Sequence, residues 1–408
     1  MVKKKLFPES LLLSVIFLLA FTIRIIFLMT YPRYAFLSHQ LFTPDEKTYN
    51  GYAQSLLSGE GFIYKNLPAR VPPLYPFFLF CIYRVFGISY SLARIIQAVL
   101  GALTCIVIYF LGKEMFNKRV GLISATVSLF YYSFIQLSGY LSSETLYTLL
   151  LLTALFFFLR FYRSSSWVYL VGGNFFLGLS ILCRDLALLL IPIILLWLSL
   201  SFQISLKEKG KQILLSLLIL SLILGPWIYR NFRIFHSFVL ISVGAGHQLY
   251  LGNSPHTTGG TGGHWRHGID DQFPSDIQDL WSLETDRLLQ KKALQFILTH
   301  PQRFFQLFLK KMVNMWRPFY AESNLISKIV MSFSYLPVMG LGIWGIFHSL
   351  KRDRKLFLLP LVLLIFTISH GIGVSTIRYR YPLMPIFVIY ASFTLSWIWD
   401  LLRKGRSC

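Results

Sequence analysis

The stretch from Ser10 to Tyr31, SLLLSVIFLLAFTIRIIFLMTY, decides the class of the fold. It is mostly apolar, and Arg24 is its only charged residue. About 20 such residues, wound as a helix, cross the roughly 30 Å of hydrocarbon in a bilayer. Lys3, Lys4 and Lys5 precede it, as in a signal peptide, but no small-residue cleavage site follows. It therefore reads as an uncleaved first membrane helix. Similar runs recur at 92–112, 120–138, 145–161, 166–182, 186–203, 212–229, 329–349, 356–376 and 382–402. The chain is 55% hydrophobic and 14% charged, where a soluble domain carries roughly a quarter charged residues. An all-α polytopic membrane protein with about ten transmembrane helices follows.

A net charge of +22 invites a nucleic-acid partner, but the distribution of the charge argues against one. The basic residues sit in short clusters between apolar runs, where they set orientation in a membrane. Anionic lipid and lipid-linked substrates are the natural partners. With the N-terminus inside, the inner loops hold 18 basic residues, and the short outer loops hold only Arg184, Arg378 and Arg380. This predicts a multi-pass protein of the cell's inner or plasma membrane with both termini cytoplasmic. A further apolar stretch, 73–88, carries Arg84 and begins Pro72-Pro73, with Pro76 close behind. If it crossed, every later loop would flip and the charge asymmetry would reverse, so it reads as an interfacial or re-entrant segment. Three units result: a transmembrane half 1–229 with a first outer loop 32–91, an outer segment 230–328, and C-terminal helices 329–408. Within 230–328, residues 301–319 alternate aromatics with Arg303, Lys310 and Lys311. That pattern suits a helix lying on the membrane surface, or one packed against its neighbours. Cys81, Cys105, Cys183 and Cys408 show no framework spacing.

Candidate chemistry gathers on the expected outer face. Asp45-Glu46 follows Pro44, with Tyr49, Tyr52, Ala53 and Leu56 at helical spacing. The acid pair is either functional or a helix-start signal. Ser142-Ser143-Glu144 precedes a span, where serine is also a strong N-cap. Arg184-Asp185 lies in a tight loop and can be a local charge pair. Arg378-Tyr379-Arg380-Tyr381-Pro382 places arginines against the charge rule, which points to an anionic ligand or to headgroup phosphates. Arg24 sits late in the first span; an ionisable residue there is by default functional, although it can also snorkel to the interface. The middles of the spans are nearly free of charge, whereas a transporter places such groups near the midplane. An enzyme working at the outer surface on a lipid-anchored phosphate is favoured. His247, His256, His264 and His267 are too loosely spaced for a metal site.

These residues, taken in order, resemble a known family. The matching positions are Asp45-Glu46 with Tyr49 and Ala53, Arg70-Val71-Pro72-Pro73-Leu74-Tyr75-Pro76, Phe86-Gly87 and Ala93-Arg94. They continue with Ser143-Glu144-Thr145-Leu146, Pro226-Trp227 with Arg230-Asn231, Gly246 with Leu249-Tyr250 and Gly252-Asn253, and finally Arg378 to Pro382. The chain resembles bacterial members of the dolichyl-phosphate-mannose protein mannosyltransferase superfamily, the family-39-like glycosyltransferases of the GT-C fold. These include protein O-mannosyltransferases and the transferase that adds aminoarabinose to lipid A. The resemblance implies Asp45 as catalytic base, Glu46 as its pair and Glu144 as a second acid. For the donor phosphate, Arg378 and Arg380 are the first candidates by their chemistry, followed by Arg24, Arg70 and Arg184, and Tyr379, Tyr250 and Asn253 complete the expected substrate-binding set. Relatives carry Lys or Arg directly before Pro-Pro; here Val71 stands there, with Arg70 one place earlier.

The expected reaction moves a sugar from a polyprenyl-phosphate donor to an acceptor hydroxyl, with inversion, on the extracytoplasmic face. The acceptor is a glycolipid, a polysaccharide or a protein. Arginines facing the leaving phosphate stabilise its charge without a required metal, although an acid pair can hold a divalent ion. Alternatives are a lipid-linked polysaccharide ligase or polymerase, or a flippase for lipid-linked substrates.

Overall fold

The computed structural model describes residues 8–30, 40–201, 204–259, 281–320, 323–352 and 357–404. Regular structure among them is helical, with one isolated bridge between Tyr64 and Leu67. In chain order the helices are α1 (Glu9–Thr30), α2 (Pro44–Ser58), α3 (Leu74–Phe86), α4 (Tyr90–Met115), α5 (Lys118–Phe130), α6 (Tyr132–Gln136), α7 (Glu144–Ser164) and α8 (Trp167–Cys183). Then follow α9 (Leu190–Ser201), α10 (Leu206–Phe235), α11 (Ala245–Gly252), α12 (Leu283–Thr299), α13 (Pro301–Trp316), α14 (Leu325–Arg352), α15 (Leu358–Ile372) and α16 (Met384–Lys404). Turns of 3-10 helix at Leu137–Gly139, Asp185–Leu189 and Ile377–Leu383 break the frame.

Among the described residues six segments are long and apolar enough to cross a membrane: α1, α4, α7, α10, α14 and Ile377–Arg403. A seventh is the pair Lys118–Phe130 and Tyr132–Gly139, bent by 60°. Of the ten stretches expected to cross, the other three fall on shorter apolar helices, α8, Asp185–Leu200 and α15. Leu18 and Met29 of α1, Leu214 and Leu222 of α10, and Phe333 of α14 are exposed. Such rows of bare apolar side chains on the outside of a bundle are what hydrocarbon solvates. This is a multi-pass membrane protein.

The stretch 73–88 forms one of the shorter apolar helices. Its helix α3 has 13 residues, about 20 Å at 1.5 Å per residue, against roughly 30 Å of hydrocarbon. Arg94, near the start of α4, donates to the Gln40 carbonyl at 3.0 Å and lies 3.7 Å from Glu46 of α2. The chain therefore leaves and re-enters the bundle on one face. The opposite end is marked by ion pairs: Glu9 with Lys113 (2.6 Å) and Lys118 (3.6 Å), Glu114 with Arg160 (3.1 Å), and Arg119 with Asp400 (2.5 Å). Most of these side chains are well exposed, so each pair stabilises little. Together they nonetheless mark the starts of α1 and α5 and the ends of α4, α7 and α16 as one face.

By the charge bias that face is expected to be the cytoplasmic one. In a cysteine-free background, a membrane-impermeant maleimide applied to intact cells should label His256→Cys and spare Ser205→Cys; both positions are exposed. The reverse pattern would invert the orientation.

In the outer segment, α13 combines both readings of its sequence. Leu307, Lys311 and Met315, four residues apart, turn inward. Phe305, Leu309 and Val313 stay exposed on the other side. The inward face packs on α15 and on the turn Ile377–Leu383.

Candidate active site

Four charged side chains from four separate segments meet at one end of the bundle, opposite the ion pairs of Glu9 and Glu114. Asp45 comes from the first turn of α2. Thr43 caps that helix by accepting from the Glu46 N–H at 3.2 Å, and Pro44 fits the first position. Glu144 opens α7, Arg184 stands between α8 and the following 3-10 turn, and Arg378 lies in the turn before α16. Arg378 bridges the two acids. Its Nη1 donates to Asp45 Oδ2 at 2.7 Å and its Nη2 to Glu144 Oε2 at 2.9 Å, while its Nε bonds Glu144 Oε1. Arg184 Nη1 sits 2.8 Å from Glu144 Oε1. Two carboxylates and two guanidiniums make the cluster neutral. The two acids differ in access: Glu144 is 0% exposed and Asp45 49%.

Burial disfavours the charge on Arg184, yet Glu144 beside it more than restores it and lifts its pKa above the usual range. Tyr49, four residues after Asp45 on α2, lines the same site, and its hydroxyl lies 3.2 Å from Ser143 Oγ. Burial, then the charges of Asp45 and Glu144, push that phenol above its ordinary pKa. It stays protonated and can donate. Tyr379 stacks on His370 with ring centroids 4.6 Å apart, and Arg184 lies 5.5 Å from its ring.

Arg70 approaches from another side. Its backbone N–H donates to Tyr52 Oη at 3.0 Å, and its guanidinium lies on the Trp281 ring at 3.6 Å. Burial lowers its pKa, while Tyr52 and Asp45 partly offset this. Among the described residues no carboxylate or carbonyl takes its guanidinium N–H groups, so the edge of that fork is unspent.

Several expected site residues lie elsewhere. Glu46 does not stand with Asp45. It closes a capping box: Oε2 accepts from the N–H groups of Phe42 (2.8 Å) and Thr43 (2.9 Å), and Oε1 from that of Leu141 (2.9 Å). It is fully buried and serves to tie α2 to the 137–141 turn. Arg380 points away from Arg378. It donates to the carbonyls of Met315 (3.1 Å), Arg317 and Pro318 (3.3 Å) at the end of α13 and stacks on Tyr335. Arg24 neither snorkels nor reaches the site. It is buried against α4, donating to Ala20 O at 2.8 Å and to Cys105 Sγ at 3.7 Å. Tyr250 packs with Leu289 and Ala293. Asn253 is buried and donates to Leu249 O and Ile372 O. Ser143 does not cap α7 through its side chain. Asp185 pairs with the Ser242 hydroxyl at 2.6 Å rather than with Arg184. His264 and His267 lie outside the described residues; His247 is buried beside Trp281.

Other residues shape the site without having been singled out. Gln97 donates to Tyr140 O at 2.6 Å and accepts from Tyr75 at 2.6 Å, holding the turn before Glu144. Lys311 fastens α13 to the ends of α11 and α15. Its signal was present in the sequence, a lysine midway between Leu307 and Met315 on one helix face.

Residues 70–229 match the family model described as dolichyl-phosphate-mannose-protein mannosyltransferase. By sequence, no curated protein matches. Among solved structures, the apo oligosaccharyltransferase of Archaeoglobus fulgidus superposes with a TM-score of 0.62 at 17% identity, over 99% of this chain and 52% of that one. The archaeal oligosaccharyltransferase AglB of that organism, in complex with an inhibitory peptide and a dolichol-phosphate, gives 0.61 at 15%, over 98% and 51%. ArnT from Cupriavidus metallidurans bound to undecaprenyl phosphate gives 0.52 at 15%, over 95% and 60%. The chain thus spans half to three-fifths of their lengths. At such identities the likeness establishes the fold. The chain carries the GT-C glycosyltransferase fold along its length and the signature of the dolichyl-phosphate-mannose-protein mannosyltransferase family over residues 70–229.

Proposed function

We propose that this protein is a membrane glycosyltransferase that moves a sugar from a polyprenyl-phosphate donor to an acceptor hydroxyl on the extracytoplasmic face. The observation that carries this reading is the neutral cluster of Asp45, Arg378, Glu144 and Arg184 at one end of the bundle. Solved relatives holding dolichol-phosphate and undecaprenyl phosphate support the class of donor.

The division of labour follows from access. Glu144 is buried and saturated by two arginines, so it is the anchor that orients them. Asp45 is half exposed and held through Oδ2 by Arg378, so it is the carboxylate an incoming hydroxyl can meet. A hydroxyl is a weak nucleophile, and a carboxylate that takes its proton as the C–O bond forms lowers the barrier. The sugar–phosphate bond breaks on the opposite side of the anomeric carbon, and the configuration inverts. The phosphodiester leaves as a monoester with one more negative charge. Arg70, whose guanidinium N–H groups meet no acceptor among the described residues and whose charge is felt by Asp45, is the first candidate to receive that phosphate, and Arg378 the second. Glu46, Arg380 and Arg24 are framework residues in this reading.

The donor set does not suit a resident divalent ion. One solved relative is a complex with Zn and sulfate. Here the two convergent carboxylates already share Arg378, and no third His, Cys, Asp or Glu joins them among the described residues. A guanidinium fills the place between two acids that a divalent ion prefers. Transfer is expected to be unchanged after EDTA treatment; a loss restored by Mg²⁺, Mn²⁺ or Zn²⁺ would reverse this.

The activity is tested with purified protein in bilayers, a set of polyprenyl-phosphate sugars and a cell-envelope extract as acceptor. Transfer with inverted anomeric configuration is expected. Transfer from nucleotide sugars alone would overturn the reading. Arg70→Ala should weaken donor binding about tenfold or more, since a hydrogen bond to a charged group contributes roughly 1.5–3 kcal/mol. Lys at that position should rescue only in part, because it lacks the planar fork. Unchanged donor affinity in Arg70→Ala would move the phosphate to Arg378.

A further inference from the structure

Lys311 is a lysine in the wrong place for a lysine. It lies on the inward face of α13, 2% exposed, between Leu307 and Met315. Among the described residues no carboxylate pairs with it, and burial pushes its pKa down to about 7. Three oxygens surround its Nζ: Ile372 O at 2.9 Å, Gly252 O at 3.1 Å and Asn253 Oδ1 at 3.2 Å. An ammonium has three N–H donors, and here each has an acceptor. Leu or Met at the same position would extend the apolar stripe without the cost of burying a charge. The contribution of the ammonium is therefore geometric.

What it fixes lies next to the site. Ile372 ends α15, and its carbonyl also accepts from Asn253 Nδ2 at 2.7 Å. Gly252 packs so closely on the Gly373 carbonyl that a Cβ there would come within 2.1 Å of the oxygen. The ends of α11 and α15 are thus knotted together on Lys311. From that knot the chain runs directly through 373–377 to Arg378. Just beyond Arg378, Arg380 grips the Met315 and Pro318 carbonyls of the same α13 region. One surface helix therefore holds the Arg378 segment on both sides.

We infer that Lys311 is a positioning residue for Arg378, holding the 372–380 segment in register with Asp45 and Glu144. The inference rests on the reading of Arg378 given above, and two measurements separate the two. The first needs no activity. In Lys311→Met, amide hydrogen exchange across 373–380 should accelerate roughly tenfold or more while α4 and α7 keep their protection, the pattern of a local opening. The second is a double-mutant cycle on transfer. Lys311→Met should lower kcat about tenfold with donor KM within about twofold, yet change little on an Arg378→Ala background, since residues acting through one contact are non-additive. Lys311→Gln, which keeps a donor, serves where the Met variant fails to fold and should show the same pattern at smaller size. Equal loss on both backgrounds, uniform loosening of all helices, or exchange at 373–380 no faster than wild type would overturn the inference. Local loosening in a protein that transfers nothing from any polyprenyl-phosphate sugar would instead leave the positioning standing and remove the activity.

Discussion

Asp45→Asn is expected to lower sugar transfer by about 10²-fold or more, the usual scale for loss of a general base. The substitution keeps the size and the bond to Arg378 while removing the proton acceptor. Of the two acids in the cluster, Asp45 alone is open to solvent, at 49% against 0% for Glu144. An acceptor reaching the cluster from outside meets Asp45 first. Donor binding should survive, because a base acts mainly in the transition state. Stability should hardly change, since the exposed side of a partly solvated ion pair contributes little. Glu46→Gln should behave oppositely. Its carboxylate accepts three backbone N–H groups, so the loss should appear in stability before it appears in turnover. Wild-type transfer by Asp45→Asn would remove it as base. Loss of turnover in a stably folded Glu46→Gln would move the chemistry one residue along.

Glu144→Gln should be the most destabilising change in the site. Glu144 is the common anion of Arg378 and Arg184, and the cluster is neutral only while it is charged. Removing one partner of a buried ion pair strands the other and costs roughly 3–5 kcal/mol. Arg184 and Arg378 retain 21% and 26% exposure, so solvent screens part of this and about 3 kcal/mol is expected. Denaturant unfolding in detergent measures it. The double variant Glu144→Gln with Arg184→Gln restores neutrality and should recover part of the loss. If the double variant is no more stable than the single one, charge balance is not what Glu144 supplies. Transfer should fall in both, because Arg378 loses the acid that orients it.

The sequence determined the environment of this protein and the face on which its chemistry lies. Apolar runs and the bias of basic residues are local properties, and a bilayer responds to them locally, so helices fall where the runs do. The same bias argues against α3 as a span, and Arg94 at the start of α4 lies beside Glu46 of α2. Asp45, Glu144, Arg184 and Arg378 were legible because charge is scarce in such a chain and these residues share one expected face. What the tertiary structure decided is which member of each pair points inward. Asp45 and Glu46 are neighbours in one helix, where successive side chains are about 100° apart. One therefore opens to the site and the other turns under the capping box. Arg378 and Arg380 stand two residues apart in a 3-10 turn, about 240° in a helix of three residues per turn, so one reaches Glu144 and the other grips α13. Arg24 and Lys311 stand out as charges in their segments, but nothing local says what they meet. Only the packing of α1 on α4, and of α13 on the ends of α11 and α15, makes one an internal brace and the other a support for the site. Periodicity gives the angle between two side chains, but which direction is inward depends on neighbours that lie far along the chain.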